Sequence, residues 1–407
     1  MSSIAVPSVD TRPTPTLFEQ IQQRDWVAAR QRLLEFPSDA EYRPPPGRNQ
    51  VTLLHWSCLH RAPLDVIVLV VDANPDALLT QDSVGFTPLH TAIAQGGSEE
   101  VVVMLIQRGG IMGSSIQSPR LGSPLCLACR HGMSVTVLSE LIKSNPAMAT
   151  LANENGLKPS HMLWFDFERR HGYLLPLLHG VEAETGQGSS RKRSRYEISG
   201  NPEINELMER LSVLLRGIQQ TDPNDIVKSS FICDIVESQP SLGNMSKFLQ
   251  IAVVQRPEEL SFRDERTGNF ALHLAASMPR QPEFSHVSNR HYALNTSRPF
   301  KDTIEILVHE FPMAAHVRNF EGHFPLHLAL CEGRRTWKTG VASLIKASIE
   351  PLQRRERRTG LYPFQLAAMS AAYPCGESAE EALETIFQLL LACPHVLNWN
   401  HNKRFAR

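Results

Sequence analysis

The sequence predicts an all-α solenoid of short helix pairs, arranged as two arrays joined by a flexible linker. Three observations predict this fold. A segment related to Pro-Leu-His-x-Ala recurs along the chain, at intervals of roughly 35 residues where it is most regular. A proline stands 15 or 16 residues before the histidine position in most copies, and a glycine stands five residues before it. Landmarks at matched offsets indicate a structural repeat, which is stable only as a stack of similar units.

Four copies fall in the first half of the chain. The clearest one is Thr87–Ala92, in which His90 is the repeat histidine. The equivalent positions in the other copies are His55, Cys126 and His161, and the four are separated by 35, 36 and 35 residues. This regular spacing predicts consecutive units without insertions.

Three further copies fall in the second half, with His273, His327 and Gln365 at the histidine position. His273 and His327 are 54 residues apart, whereas His327 and Gln365 are 38 apart. The longer interval predicts an insertion, for which the polar stretch 281–300 is the candidate.

Each landmark has a local physical reason. A threonine such as Thr87 can accept a hydrogen bond from a free N–H at a helix start, and Pro88 after it has no N–H to lose. The second helix of a unit carries an apolar stripe, the later proline ends that helix, and the glycine permits positive φ in the connecting turn. The stripe is clearest in Ile304, Leu307, Val308 and Phe311.

These segments together resemble the ankyrin-repeat family, over about residues 16–180 and 225–400. The resemblance implies an ankyrin-type solenoid of antiparallel helix pairs with outward hairpins and a concave face that binds proteins. It also implies that the repeat histidines form hydrogen bonds within and between repeats. Cys126 and Gln365 depart from the family pattern, and the stretch 281–300 interrupts the spacing.

The domain organisation follows from shifts in composition. We expect a disordered N-terminus at 1–15, a first array at 16–180, a flexible basic linker at 181–201, a second array at 202–393 and a C-terminal tail at 394–407. Gly, Ser, Glu and Arg dominate the linker, a composition typical of flexible segments. The polar start of the chain has no basic stretch followed by an apolar run, so no secretory signal is expected.

Charge and cysteine content limit the class of partner. Lys and Arg number 41 against 42 Asp and Glu, a net charge of −1, which gives no global attraction to nucleic acid or an anionic membrane. We expect other proteins as partners, with no small-molecule substrate, no membrane and nucleic acid disfavoured. Seven cysteines, an odd number scattered along the chain, favour a reducing compartment, the cytoplasm or alternatively the nucleus.

Catalytic and metal-binding patterns are missing from the sequence. It contains no HExxH, GxxxxGK[ST], GxSxG or GxGxxG segment, so we expect no enzyme and no cofactor. Cys126 and Cys129 form a C-x-x-C pair, but a zinc site would require a second pair or suitably spaced histidines. Because both thiols fall at repeat positions, core cysteines are favoured over a metal or redox site.

The predicted function is that of a protein-interaction scaffold or adaptor. The alternative is a nuclear regulatory cofactor, in which the basic run Arg191, Lys192, Arg193 and Arg195 acts as an import signal rather than as a solvated linker. The family resemblance places partner contacts at the hairpin tips and at exposed positions of the inner helices. By position these are Asp82, Ser83, Arg130, His131, Asn153, Glu154, Arg266, Asn319 and Glu321.

One further tip is strongly basic. The stretch 334–358 holds eight basic and two acidic residues. Arg354, Arg355, Arg357 and Arg358 fall in the predicted tip. The sequence leaves two interpretations open, a surface for an acidic partner and an ordinary charged tip. Nucleic acid is less favoured because aromatic residues are not interleaved with the arginines.

Overall fold

The computed structural model describes residues 16–41, 51–119, 121–174, 198, 200–219, 230–242, 245–278, 302–331, 335–371 and 379–397. These ranges are mostly helical and contain no strand, only an isolated β-bridge between Ser118 and Gly122. The all-α prediction is therefore confirmed for them. The expected disordered N-terminus at 1–15, most of the linker, the insertion 281–300 and residues 398–407 of the tail lie outside the described residues.

Two compact units make up the chain, Met1–Met162 and Leu163–Arg407. The α-helices of the first unit are Leu17–Gln23, Trp26–Glu35, Leu53–Leu59, Leu64–Ala73, Pro88–Ala94, Glu99–Ser115, Pro124–Arg130 and Val135–Ser144. The helix Pro159–His171 spans the division. Those of the second unit are Pro202–Gln219, Phe231–Glu237, Gln239–Leu242, Ser246–Gln255, Ala271–Ser277, Thr303–Glu310, Pro325–Leu330, Val341–Ala347, Pro363–Ala371 and Ala379–Ala392.

The division between the two compact units falls after Met162, within the helix Pro159–His171. The reason lies in the contacts of the helix Pro159–His171. Its Trp164 ring packs edge-on against Phe248, with centroids 5.4 Å apart. Its Asp166, 1% exposed, lies 3.7 Å from the guanidinium of Arg210. These contacts place the aromatic segment after Met162 in the second unit.

Hydroxyl side chains begin three inner helices of the first unit, as the sequence predicts, whereas Phe270 and Phe324 stand at this position in the second unit. The Thr87 hydroxyl accepts from the backbone N–H of His90 at 3.4 Å, and Thr52 and Ser123 cap the preceding and following inner helices in the same way. A proline then occupies the first helical position in Pro88–Ala94 and Pro124–Arg130. Each short helix therefore begins at a residue fixed by local chemistry.

Prolines also mark the ends of the outer helices. The helix Leu64–Ala73 ends before Asn74, and Pro75 then begins the 3-10 turn Pro75–Leu79. The same turn follows other outer helices at Pro146–Ala149, Pro257–Ser261 and Pro312–His316. Proline therefore ends the helix as predicted and also fixes φ for the tighter turn that leads away from it.

Apolar stripes of the helices form the core. In the outer helix Val135–Ser144 the buried residues are Val137, Leu138, Leu141 and Ile142, each at most 2% exposed. In Thr303–Glu310 the predicted stripe is buried at Ile304 and Leu307, whereas Val308 is only half-buried. Residues with this spacing face one side of a helix, so their burial requires a neighbouring helix pair.

A buried arginine joins the described residues on either side of positions 279–301. The Arg335 side chain, 2% exposed, donates to both carboxylate oxygens of Asp302 at 3.0 and 3.1 Å. It also donates to the backbone carbonyls of Met278 and Ala275. Met278 and Asp302 are the described residues that flank positions 279–301. Arg335 thus links the end of the inner helix Ala271–Ser277 to the start of the outer helix Thr303–Glu310.

Candidate functional site

The turns that connect consecutive repeats share one backbone frame; we call these turns the tips. In tip 82–86 the N–H of Asp82 donates to the carbonyl of Phe86 at 2.8 Å, and the N–H of Gly85 donates to the carbonyl of Asp82 at 2.9 Å. The Asp82 carboxylate accepts from the N–H groups of Val84 and Phe86, at 2.9 and 2.8 Å. The side chain that starts the tip therefore holds its backbone.

The same frame recurs in tips 153–157 and 319–323. Asn153 accepts from the backbone of Asn155 and Leu157 at 3.0 and 2.9 Å. Asn319 accepts from the N–H of His323 at 2.8 Å. Both side chains are only 6% exposed. Asn153 and Asn319, expected from the sequence to be contact residues, thus hold the tips from inside, because their amide oxygens are used by the turn itself.

Two tips, 264–269 and 356–361, are one residue longer. Here the N–H of Asp264 bonds to the carbonyl of Asn269, and the N–H of Glu356 bonds to that of Leu361. A threonine stands three residues after each acid, and its N–H and hydroxyl both donate to the carboxylate. The extra residue is accommodated by this threonine, which is Thr267 in one tip and Thr359 in the other.

Glycines close the tips with positive φ, as the sequence predicts. Gly85 has φ +84°, and Gly156, Gly268, Gly322 and Gly360 have values between +69° and +88°. Residues with a Cβ are disfavoured in this region. At Gly85 the space is also restricted, because an added Cβ would lie 2.5 Å from Cδ of Pro119.

Repeat histidines connect the buried inner helices to the tips. In His90, Nδ1 accepts from the backbone N–H of Thr87 at 3.3 Å, and Nε2 lies 3.3 Å from the carbonyl oxygen of Gly122 in the next repeat. Because a carbonyl can only accept, Nε2 carries the proton and the ring is neutral. His55, His273 and His327 reach the carbonyls of Phe86, Val317 and Arg354 in the same way.

Burial keeps these rings neutral. It lowers the pKa of His90, His273 and His327 to about 4, although the hydrogen bond from each ring to a backbone carbonyl opposes the shift. Burial also lowers the pKa of His55. The bonds between repeats that the family resemblance implied are thus present at His55, His90, His273 and His327, and they are suited to holding the fold.

Neighbouring tips of the second unit contact one another directly. The N–H of Phe320 donates to the backbone carbonyl of Thr267 at 2.9 Å, and the side-chain amide of Asn319 donates to Oδ1 of Asn269 at 3.0 Å. His323 Nε2 lies 2.7 Å from the carboxylate of Glu356 in the next tip. Tips 264–269, 319–323 and 356–361 therefore form a continuous row.

The side chains that these frames display differ from tip to tip. Among the residues expected to contact partners, Asp82 and Arg130 are half-buried. His131 follows the inner helix Pro124–Arg130 and is exposed. The exposed members within or beside the tips are Ser83, Glu154, Arg266, Glu321, Arg354, Arg355, Arg357 and Arg358. The expected import residues Arg191, Lys192, Arg193 and Arg195 lie outside the described residues.

Glu356 is a buried carboxylate within tip 356–361. Its side chain is 2% exposed and accepts from the N–H groups of Arg358 and Thr359 at 2.8 and 2.5 Å. Burial alone would raise the pKa of this carboxyl, but the hydrogen bonds from Thr359 and Arg358 outweigh it and lower the pKa to about 2. The carboxylate is therefore ionised and directed into the tip.

The C-x-x-C pair lies in the core. Cys126 and Cys129 are 1% and 0% exposed, and burial raises the pKa of the Cys126 thiol to about 11. Within the described ranges, no three His, Cys, Asp or Glu residues are grouped so as to hold a metal ion. The described helices also include none long and apolar enough to cross a membrane.

Several structurally important residues are not among those singled out by the sequence. They are Asp264, Glu356, Thr267 and Thr359 in the longer tips, and Arg335, which pairs with Asp302. The tip residues have a local signal, an acid or amide three or four residues before the tip glycine. Arg335 has none, because its partner Asp302 lies 33 residues away.

Comparison with known families agrees with this geometry. Residues 84–114 match the family described as Ankyrin repeat. They run from the end of tip 82–86 through the inner helix Pro88–Ala94 and most of the outer helix Glu99–Ser115. The chain therefore contains an ankyrin repeat at these residues. No curated protein matches it.

Proposed function

We propose that this protein is a non-catalytic scaffold or adaptor that binds other proteins through the tips of its repeats. The observation that carries the proposal is the contrast between the constant backbone of the tips and their variable exposed side chains. The backbone hydrogen bonds are repeated from tip to tip, whereas the exposed side chains change in size and charge. Ser83 and Val84 occupy tip 82–86, Glu154 occupies tip 153–157 and Phe320 with Glu321 occupies tip 319–323.

This contrast suits recognition. A rigid turn presents its side chains with little conformational entropy left to lose, so contacts with a partner contribute more fully to affinity. Tips that lie in a row offer several such groups to one extended partner surface. Ankyrin repeats typically serve in protein interactions, and the chain shares that architecture. As part of the proposal, two arrays at 16–180 and 202–393 are joined by the flexible linker 181–201.

The basic run Arg191, Lys192, Arg193 and Arg195 supports a second candidate, a nuclear regulatory cofactor. An exposed basic peptide is the chemistry that acidic import grooves bind. Changing all four residues to alanine in a tagged full-length protein tests this role. Loss of nuclear accumulation is expected if the run is an import signal, and unchanged distribution would leave the cytoplasmic scaffold as the proposal.

Affinity capture with two charge-matched variants tests the scaffold proposal. The tip variant carries Glu154→Lys, Arg266→Glu and Glu321→Lys. The control carries Glu209→Lys, Lys346→Glu and Glu384→Lys, all exposed positions on helices. Both variants change the charge of the chain by the same amount.

The wild-type chain and the control are expected to recover the same proteins. The tip variant is expected to lose at least one of them, and the purified protein should then bind the wild-type chain directly. Recovery of every partner by the tip variant with unchanged affinity would refute tip-mediated binding. Failure of the wild-type chain to bind any purified candidate would refute the scaffold role.

A further inference from the structure

Tip 356–361 and the two residues before it carry a concentration of positive charge; we call residues 354–358 the arginine tip. Arg354, Arg355, Arg357 and Arg358 are all exposed. The acid among them, Glu356, is buried and bonded to backbone N–H groups. Its charge is thus held within the turn, while the four guanidinium groups face solvent.

Nearby exposed acids neutralise this surface only weakly. Arg354 pairs with Glu350 at 3.4 Å, but the two side chains are 57% and 51% exposed. A pair of this kind contributes little, because water and salt screen both charges. Glu321, in the neighbouring tip, lies 3.3 Å from Nδ1 of His323. The arginine tip therefore remains a positively charged surface.

Two of the arginines are held in place by neighbours. The Arg355 guanidinium lies over the Tyr362 ring, 4.8 Å from its centroid. The stem of Arg357 lies against Gly322 of the preceding tip, where a Cβ would come within 3.0 Å of Arg357 Cδ. Such contacts restrict the side chains before any partner arrives, which lowers the entropy lost on binding.

We propose that the arginine tip binds a carboxylate-rich peptide segment of a partner protein, an inference that rests on the scaffold function proposed above. Guanidinium groups bind carboxylates through paired, charge-assisted hydrogen bonds. Arg355 and Arg357 are held by different neighbours, Tyr362 and Gly322. Groups held by separate neighbours suit several carboxylates along an extended segment better than one phosphate.

Nucleic acid fits this surface less well. A nucleic-acid backbone requires a basic track that continues past one turn. The neighbouring tips carry charges of both signs, because Glu265 and Glu321 are exposed there beside Arg266 and Arg318. A short acidic peptide needs only the residues of one tip, so its length matches the extent of the positively charged surface.

Fluorescence anisotropy with the full-length protein tests the proposal. The probes are a labelled hexaglutamate peptide, its hexaglutamine counterpart, a peptide with one phosphoserine and a single-stranded oligonucleotide. The arginine-tip variant is Arg355→Gln with Arg358→Gln. The control is Arg30→Gln with Arg108→Gln, which removes two exposed arginines of the first unit.

Hexaglutamate is expected to bind at low salt in clear preference to hexaglutamine. The arginine-tip variant should weaken that binding roughly tenfold, since two charge-assisted contacts are removed, and the control should leave it unchanged. Equal binding of the two peptides, or equal loss in both variants, would overturn the proposal. Tighter binding of the phosphopeptide or the oligonucleotide would also overturn it, in favour of those ligands.

The two proposals fail separately. If capture depends on Glu154, Arg266 and Glu321 while hexaglutamate does not bind, the scaffold function stands and the acidic ligand is rejected. If no partner binds through any tip, both are rejected.

Discussion

The Nε2 atom of His327 lies 3.2 Å from the backbone carbonyl oxygen of Arg354. One hydrogen bond thus joins a buried inner helix to the first residue of the arginine tip. His90 makes the equivalent bond to Gly122, and His273 to Val317. The residue type that defines the repeat in the sequence therefore fixes the turn that displays the exposed side chains.

Stability should fall on mild acidification. His90, His273 and His327 have a pKa of about 4 in the folded chain, against about 6.5 when unfolded. Their contribution is therefore complete above pH 6.5 and is lost as the pH falls towards 4. Lowering the pH from about 7.5 to about 5 should reduce the free energy of unfolding of the chain by on the order of 2 kcal/mol for each of these rings. Urea unfolding at the two pH values measures the change.

A glutamine variant isolates the contribution of one ring. Gln365 occupies the histidine position of its own repeat and accepts from the N–H of Tyr362 at 3.0 Å. His327→Gln should therefore fold, with a smaller loss of stability between the two pH values than the wild-type chain shows. The same urea midpoint at both pH values in the wild-type chain would contradict the neutral-ring account.

Alanine at two tip glycines should have unequal effects. Gly85 and Gly156 close tips of the same length with φ of +84° and +74°. Gly156→Ala should cost about 1 kcal/mol of unfolding free energy, the penalty of a positive φ alone. Gly85→Ala should cost more, because its Cβ would meet Pro119 at 2.5 Å, whereas nothing lies within 4 Å at Gly156. Denaturant unfolding of both variants is the measurement, and equal losses would argue against the close packing at Pro119.

Two arginine–aspartate pairs should differ in importance although both have 3.0 Å contacts. Arg335 and Asp302 are 2% and 16% exposed, whereas Arg108 and Asp72 are 52% and 51% exposed. Arg335→Met should cost roughly 3–5 kcal/mol, because Asp302 loses its cationic partner and the backbone carbonyls of Met278 and Ala275 lose a donor. Arg108→Met should cost at most about 1 kcal/mol. Thermal unfolding of the two variants measures the losses of stability, and similar losses would show that Arg335 stabilises the fold no more than an exposed arginine does.

Core thiols should resist alkylation in the folded chain. Burial raises the pKa of Cys58 and Cys233 to about 12, so very little thiolate is present at neutral pH. Iodoacetamide labelling followed by peptide mass spectrometry should show slow modification of both residues until denaturant is added. Labelling of Cys58 at the same rate with and without denaturant would show that it is not in a packed core.

The sequence predicts features that depend on local chemistry. Thr87 caps its helix and Gly85 adopts positive φ as expected, because each role is determined within a few residues. The resemblance to ankyrin repeats likewise implies the hydrogen bond from His90 to the next repeat, which the structure shows at Gly122.

Features set by three-dimensional packing are harder to predict. Arg335 and Asp302 are 33 residues apart with several helices between them, and no regular sequence spacing predicts that they form a pair. The burial of Asn153 and Asn319 also differs from expectation. Polar tip residues are usually solvated, but here their amides replace water as acceptors for the backbone of the turn.

Hydroxyl-radical footprinting of the full-length protein with a purified partner tests most directly whether the tips are the binding surface. Phe320 in tip 319–323 and Phe387 on the helix Ala379–Ala392 are 56% and 57% exposed, so they should oxidise similarly in the free protein. The account predicts that the partner protects Phe320 or exposed residues of other tips and leaves Phe387 unchanged. Protection of Phe387 without protection at any tip would contradict it.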